Sequence, residues 1–343
     1  MKVTWRSPSN IALIKYWGKY GRQLPRNASI SFTLQNAYTE TSLDWNDKED
    51  DGKIELEFEF EGREMPNFCQ KIKTYLAGIT DRLPFLTAYK LNISSWNSFP
   101  HSAGIASSAS SMSALALCLC SMDESLNGKI SEESFYHKAS DIARLGSGSA
   151  SRSVFSQMAL WGETKLDLNA SNEFAIPYGD KVHEVFHGFH DDILMVSKSE
   201  KSVSSTAGHA LMDSNPFSEL RYKQAHNNLQ RLLLALKSGD LKTFGQIVEQ
   251  EALQLHALMM TSTPSYILME GNTIELIKRL QAWRQMSGVP MFFTLDAGPN
   301  LHLLYPHSVK NEAKKFIERE LVAFCERGEY LEDMVGLGPI KVT

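Results

Sequence analysis

The 343-residue sequence predicts an α+β chain in two parts, and three observations carry that expectation. The run Lys53-Ile54-Glu55-Leu56-Glu57-Phe58-Glu59-Phe60-Glu61 alternates charged and apolar residues, the period of a strand with one wet face. The second half reads as helical segments at 216–237, 241–258, 272–286 and 309–327. Between the last two lie apolar runs at 291–295 and 301–305, joined by Asp296-Ala297-Gly298-Pro299-Asn300, which predicts paired strands with functional groups in their connection. The change of character near 185–192 divides the chain into 1–187 and 188–343.

Taken in order, residues 39–45 are expected to pair antiparallel with 53–61 through a turn at 46–52. Residues 91–96 form a further strand that enters a loop at 97–104 and then an Ala/Ser/Leu helix to about Met122. A helix follows over 131–145, with Ser131 and Ser134 as candidate caps, and a strand over 154–161.

A net charge of −5 argues against general nucleic-acid binding, which needs a basic surface. The charge is unevenly spread. From Met1 to Thr39 there are six basic residues and no carboxylate, so a local anion site is open. The opening decapeptide lacks the apolar core of an export signal, and the longest apolar run, Ala114 to Cys120, is far short of the ~20 residues a membrane span needs. Cys69, Cys118, Cys120 and Cys325 fit neither a zinc spacing nor a disulfide framework and read as reduced core cysteines of a cytoplasmic protein.

Five segments carry candidate chemistry. Residues 91–122 contain ten serines and no charged side chain; at their centre Pro100-His101-Ser102-Ala103-Gly104-Ile105-Ala106-Ser107-Ser108-Ala109 runs directly into a helix. Small residues let a ligand approach the backbone, and free N–H groups at a helix start attract anions; the same composition also suits a helix–sheet packing face. Gly146-Ser147-Gly148-Ser149-Ala150-Ser151-Arg152-Ser153 places one Arg in an acid-free loop, suited to bidentate capture of carboxylate or phosphate, or to a plain surface turn. Residues 201–208 are hydroxyl-rich with a single cation. Lys15 and Lys19 lie in the acid-free stretch beside Tyr16 and Trp17, and Asp296 precedes Ala-Gly-Pro, where an Asp commonly serves only to form a turn.

The order and wording of these segments resemble the mevalonate diphosphate decarboxylase family, a branch of the GHMP kinase superfamily, over most of the chain. Asn10-Ile-Ala-Leu-Ile-Lys-Tyr-Trp-Gly-Lys19, Phe99-Pro-His-Ser-Ala-Gly-Ile-Ala-Ser-Ser-Ala109, Ala143-Arg-Leu-Gly-Ser-Gly-Ser-Ala-Ser-Arg-Ser153, Val203-Ser-Ser-Thr-Ala-Gly208 and Thr294-Leu-Asp-Ala-Gly-Pro-Asn300 carry the resemblance. It implies an N-terminal part like ribosomal protein S5 domain 2, a ferredoxin-like C-terminal part and a cleft between them. It also implies ATP- and Mg2+-dependent decarboxylation of mevalonate 5-diphosphate, in a homodimer without nucleic-acid or membrane partners.

On the same ground Asp296, Lys15 and Arg152 are the expected catalytic residues. Asn10, Tyr16, Lys19, Ser151, Arg152, Ser204 and Ser205 are expected at the substrate. Ala103, Gly104, Ile105, Ala106, Ser107, Ser108 and Ala109 would cradle the ATP phosphates, with Ser107 and Ser108 nearest the magnesium. The chain departs from the family wording at Ser98, His101, Ser110, Ser111, Ser151 and His209. Action on mevalonate 5-phosphate, a pure 3-kinase and a non-catalytic ATP- or RNA-binding module remain as alternatives.

Overall fold

The computed structural model describes residues 1–99, 105–199 and 203–343. Its larger sheet runs Ile340–Lys341, Lys2–Ala12, Ser29–Asp47, Tyr89–Asn97, Glu55–Phe60 and Arg63–Glu64 in spatial order. Met158–Trp161 pairs with the first residues of the long Ser29–Asp47 strand, and Ala175–Pro177 lies beyond it. A smaller sheet orders Phe292–Leu295, Leu301–Tyr305, His190–Leu194 and Tyr330–Leu331. The expected α+β class holds, and the last residues return to edge the first sheet.

The alternating segment is the strand Glu55–Phe60, with Leu56 and Phe58 buried and its glutamates outward. Its expected partner is corrected. It pairs parallel with Tyr89–Asn97 (Leu56 against Leu91, Phe58 against Ile93), and that strand in turn pairs antiparallel with Ser29–Asp47. The cause is a helix the sequence reading omitted, Pro66–Ala77, which buries Ile72 and Leu76. Parallel neighbours need such a crossover, and it carries the chain past the position a tight hairpin would have used.

The serine-rich segment becomes the helix Ser107–Asn127 lying on this sheet. Its small side chains fit the packing-face reading over most of its length. Ser113 bonds Ser7 at 2.5 Å, Ser110 bonds Thr39 at 2.6 Å and Ser121 accepts the Trp5 indole N–H at 2.8 Å, all in the buried interface. Ser107 and Ser108 stay at the open end. Ser131 caps the next helix, Glu132–Gly146, by accepting the Ser134 N–H at 3.2 Å, so Ser134 is the partner and not the cap. The strand expected at 154–161 begins at Met158.

In the second half the helices Ser218–Ser238, Leu241–Met260 and Gly271–Ser287 match expectation. The segment 309–327 is instead a short helix, Lys310–Phe316, that widens over Ile317–Leu321. Leu229, Leu232 and Phe244 from this half pack with Ile11, Ile30 and Phe32 of the first, so one apolar core backs both sheets.

The long strand breaks register opposite Pro8 and Asn10. There Asp333 accepts the backbone N–H groups of Gln35, Asn36 and Ala37 at 2.7–2.8 Å, fixing a bulge beside Asn10.

Candidate active site

A cleft of about 940 Å³ opens where the two halves meet. Asn10, Lys15, Tyr16, Lys19, Ser108, Ser147, Arg152, Ser205, His209 and Asp296 are on its walls, so the five separate segments do converge.

Lys15 follows the first long strand and is held at both backbone ends. Its N–H donates to Glu251 Oε2 at 2.9 Å, and its carbonyl accepts from Arg221 Nη2 at 3.2 Å and Asn27 Nδ2 at 3.1 Å. Glu251 is fully buried. It takes two bonds from Arg221, at 2.8 and 2.6 Å, and one from Asn228 at 2.7 Å. The sequence reading missed Glu251, Arg221 and Asn228, because ordinary residues on two helices acquire a role only by packing around a distant turn.

From that anchor the Lys15 ammonium reaches Asp296 Oδ1 at 3.1 Å. Burial lowers the Lys15 pKa, and the charge and hydrogen bond of Asp296 oppose the shift. The Lys15 side chain is 2% exposed and that of Asp296 25%, so the carboxylate faces the cleft with the cation behind it. The Asp296 carbonyl accepts a hydrogen bond from His256 Nε2 at 3.1 Å, which fixes the loop between the paired strands Phe292–Leu295 and Leu301–Tyr305.

Arg152 ends the turn Gly148–Arg152 and is buried among neutral oxygens: Ser31 Oγ at 3.0 Å, Ser29 Oγ at 2.6 Å and Asn10 Oδ1 at 3.2 Å. Burial brings its pKa down to about 10, against the pull of Asp296. A guanidinium so placed keeps its charge at neutral pH and meets no carboxylate within ion-pair distance among the described residues. It is set up to receive an anion.

Across the cleft, Gly18 turns the chain at φ +97°, and a β-carbon there would sit 2.2 Å from the Tyr222 hydroxyl. The turn delivers Lys19, whose ammonium, among the described residues, donates only to the neutral Gln23 Oε1 at 2.9 Å. By contrast Arg6, Arg22 and Arg26 of the same basic stretch pair with Glu40, Asp81 and Asp213 on the outside. Ser205 and His209 stand one turn apart on the short helix Ser205–Ala210 and both face in. The Tyr16 hydroxyl is buried without a hydrogen-bond partner among the described residues.

Not every expected residue lines the cleft. Ser151 is fully buried and donates to the Gly148 carbonyl at 2.8 Å, so it shapes the turn. Ser204 caps its helix by accepting the Ala207 N–H at 3.2 Å. Ile105 and Ala109 are buried in the packing of the loop and helix, whereas Ala106 and Ser108 are on the cleft wall. Ala103 and Gly104 lie outside the described residues.

The helix Ser107–Asn127 starts from Ala106 at φ 46° with no side chain among the described residues capping it, an arrangement that can offer its first N–H groups to a ligand. A second, mainly apolar cavity of about 810 Å³ adjoins this helix start, between Phe58, Phe60, Phe68 and Met112, with Asn97 at its edge. Ser108 belongs to both cavities.

Residues 7–172 match the model of the diphosphomevalonate decarboxylase-like N-terminal domain, and residues 192–334 that of the mevalonate 5-diphosphate decarboxylase C-terminal domain. The chain belongs to the diphosphomevalonate decarboxylase family. The diphosphomevalonate decarboxylase of Debaryomyces hansenii is 30% identical over 321 residues, covering 90% of this chain and 80% of the relative. Among solved structures, mevalonate diphosphate decarboxylase from Staphylococcus aureus superposes with a TM-score of 0.84 at 27% identity, over 100% of this chain and 98% of the other. MDDEF in complex with MVAPP, AMPPCP and magnesium superposes with a TM-score of 0.83 at 26% identity, over 99% and 98%.

One departure from the wording of the diphosphomevalonate decarboxylases, His209, has a consequence for stability. Burial pushes its imidazole pKa down to about 3, with the Lys19 charge adding to the shift. The unfolded chain takes up a proton below about pH 6.5, whereas the native imidazole stays neutral until about pH 3. Stability is therefore present above pH 6.5 and falls as pH drops, by ~1.4 kcal/mol per pH unit from this group. His209→Gln, which has no proton to gain, should lose less stability than wild type between pH 7 and pH 5 in urea titrations. Parallel losses in the two proteins would contradict the assignment.

Proposed function

We propose that this chain converts mevalonate 5-diphosphate and ATP into isopentenyl diphosphate, ADP, phosphate and carbon dioxide, with the roles below carried by its own residues. The observation that supports this most directly is the Lys15–Asp296 pair facing the same cleft as an arginine surrounded by neutral oxygens. A carboxylate positions and deprotonates a hydroxyl, and a guanidinium bonded by neutral oxygens holds a carboxylate. The C3 hydroxyl and the carboxylate are the two groups this reaction changes.

Asp296 orients the C3 hydroxyl toward the γ-phosphoryl group of ATP and accepts its proton late in the transfer, as suits a weak base. Lys15 balances the charge gathered there. The C3–O bond then breaks, phosphate departs with the electron pair, and the C1–C2 bonding electrons form the alkene as carbon dioxide leaves. Arg152 keeps the carboxylate aligned for that step, with Asn10 bracing the guanidinium. Lys19, Tyr16 and Ser205 serve the diphosphate.

The nucleotide is proposed to lie across Ser108, its base in the apolar cavity and its phosphates at the uncapped helix start. Among the described residues no cluster of three His, Cys, Asp or Glu could hold a metal. The donors here are the Ser107 and Ser108 hydroxyls, which suit a magnesium ion arriving with the nucleotide and largely ligated by phosphate and water. Bound magnesium would neutralise phosphate charge. The two parts are proposed to meet near 187/188, and the resemblance supports a homodimer in the cytoplasm. No described helix is long and apolar enough to cross a membrane.

The deciding assay offers ATP and Mg2+ with mevalonate 5-diphosphate or, separately, the 5-phosphate. Gas and ADP should appear with the diphosphate; turnover of the monophosphate alone would overturn the substrate assignment. In the same assay Arg152→Gln should lower decarboxylation ~10²-fold or more by misplacing the carboxylate, with the KM for ATP changed little. The ratio of ADP to carbon dioxide, one in wild type, should rise in the variant. Unaltered gas release would remove the clamp role.

A further inference from the structure

We infer that His209 is a substrate-specificity residue whose Nε2–H donates a hydrogen bond to a phosphoryl oxygen of the phosphorylated substrate. The inference rests on the proposed function and adds to it a neutral donor that the catalytic scheme does not use.

The ring is held on three sides. Its Nδ1 accepts the Gly18 N–H at 3.0 Å, its face lies 4.6 Å from the Trp17 ring, and Tyr16 packs 4.4 Å away. The helix that carries it presses close at Gly208, where a β-carbon would sit 2.6 Å from Trp17. Because Nδ1 is an acceptor, the neutral ring carries its proton on Nε2. Burial keeps the ring neutral at physiological pH. Nε2 has no partner within the chain among the described residues, and His209 lines the cleft with Lys19 and Ser205. The buried Tyr16 hydroxyl against the same ring, without a partner among the described residues, is a second donor that can meet an acceptor.

A fixed neutral donor does something Lys19 does not. An ammonium attracts any anion in reach, whereas a locked N–H bonds only an oxygen placed on its axis. It therefore reports where the phosphoryl chain lies and helps to distinguish chains of different length.

Two variants separate this role from the support of Gly18. His209→Asn keeps an acceptor near the Nδ1 position but its amide does not reach the Nε2 position; His209→Gln places an N–H there. Calorimetric titration of wild type, His209→Asn and His209→Gln with mevalonate 5-diphosphate, without ATP, should give a Kd weakened ~10-fold or more in Asn and restored to within about threefold in Gln. Hydrogen bonds to charged groups are of that strength. The KM for ATP should be the same in all three, and melting curves confirm folding. A Kd in Asn within twofold of wild type, or Asn and Gln equally weakened, would overturn the inference. Wild type that binds the diphosphate without turning it over would defeat the proposed reaction while leaving the His209 result readable. Wild type that does not bind it would defeat both.

Discussion

Asp296→Asn should lower turnover of mevalonate 5-diphosphate by ~10³-fold or more while leaving the KM for ATP within a few-fold. Two losses combine. The amide cannot take the C3 hydroxyl proton, and it no longer offers a charge to the Lys15 ammonium 3.1 Å away. Lys15 is buried, and Asp296 is the leading influence that holds its pKa up against burial. In the variant that pKa falls further, so the ammonium is lost at a lower pH than in wild type. Residual activity should accordingly decline earlier on the alkaline side of the profile. Steady-state rates from pH 6 to 9 test both statements; near-normal turnover would remove Asp296 from the chemistry. Asn is close in shape to Asp, so a large loss in a protein that melts normally is a loss of charge and basicity.

The segments that line the cleft were legible because their composition is local in sequence. Lys15, Arg152 and Asp296 each sit in a short stretch of unusual composition, and each lines the cleft. Legibility failed where function depends on packing between distant segments. Glu251 and Arg221 are unremarkable charges on helices until both are buried around the Lys15 backbone. Ser151 has the motif position of a ligand-binding residue, yet its hydroxyl is spent inside its own turn. The strand error had the same origin: residues 39–45 and 53–61 satisfy a hairpin by local pattern, and only the helix Pro66–Ala77 and its parallel crossover exclude it. His209 was visible as a departure, but its tautomer depends on the Gly18 N–H, a contact across 191 positions.

That dependence on packing gives the second large effect. Glu251→Gln leaves the buried Arg221 guanidinium without its counter-charge and should destabilise the fold by ~3–5 kcal/mol, read as a lower midpoint in denaturant. Turnover should fall as well, because Glu251 and Arg221 bind the Lys15 backbone N–H and carbonyl and so aim the ammonium at Asp296. The two consequences can be separated with the double replacement Arg221→Met, Glu251→Met. Removing both charges ends the uncompensated burial, so much of the lost stability should return, as it does when apolar residues replace buried ion pairs elsewhere. Activity should not return, since the Lys15 N–H has lost its acceptor at position 251 and the carbonyl keeps Asn27 but not Arg221. A double variant that regains both stability and turnover would show the pair to be a folding element alone. One that regains stability while staying slow would establish Glu251 and Arg221 as positioning residues that act on the reaction through Lys15.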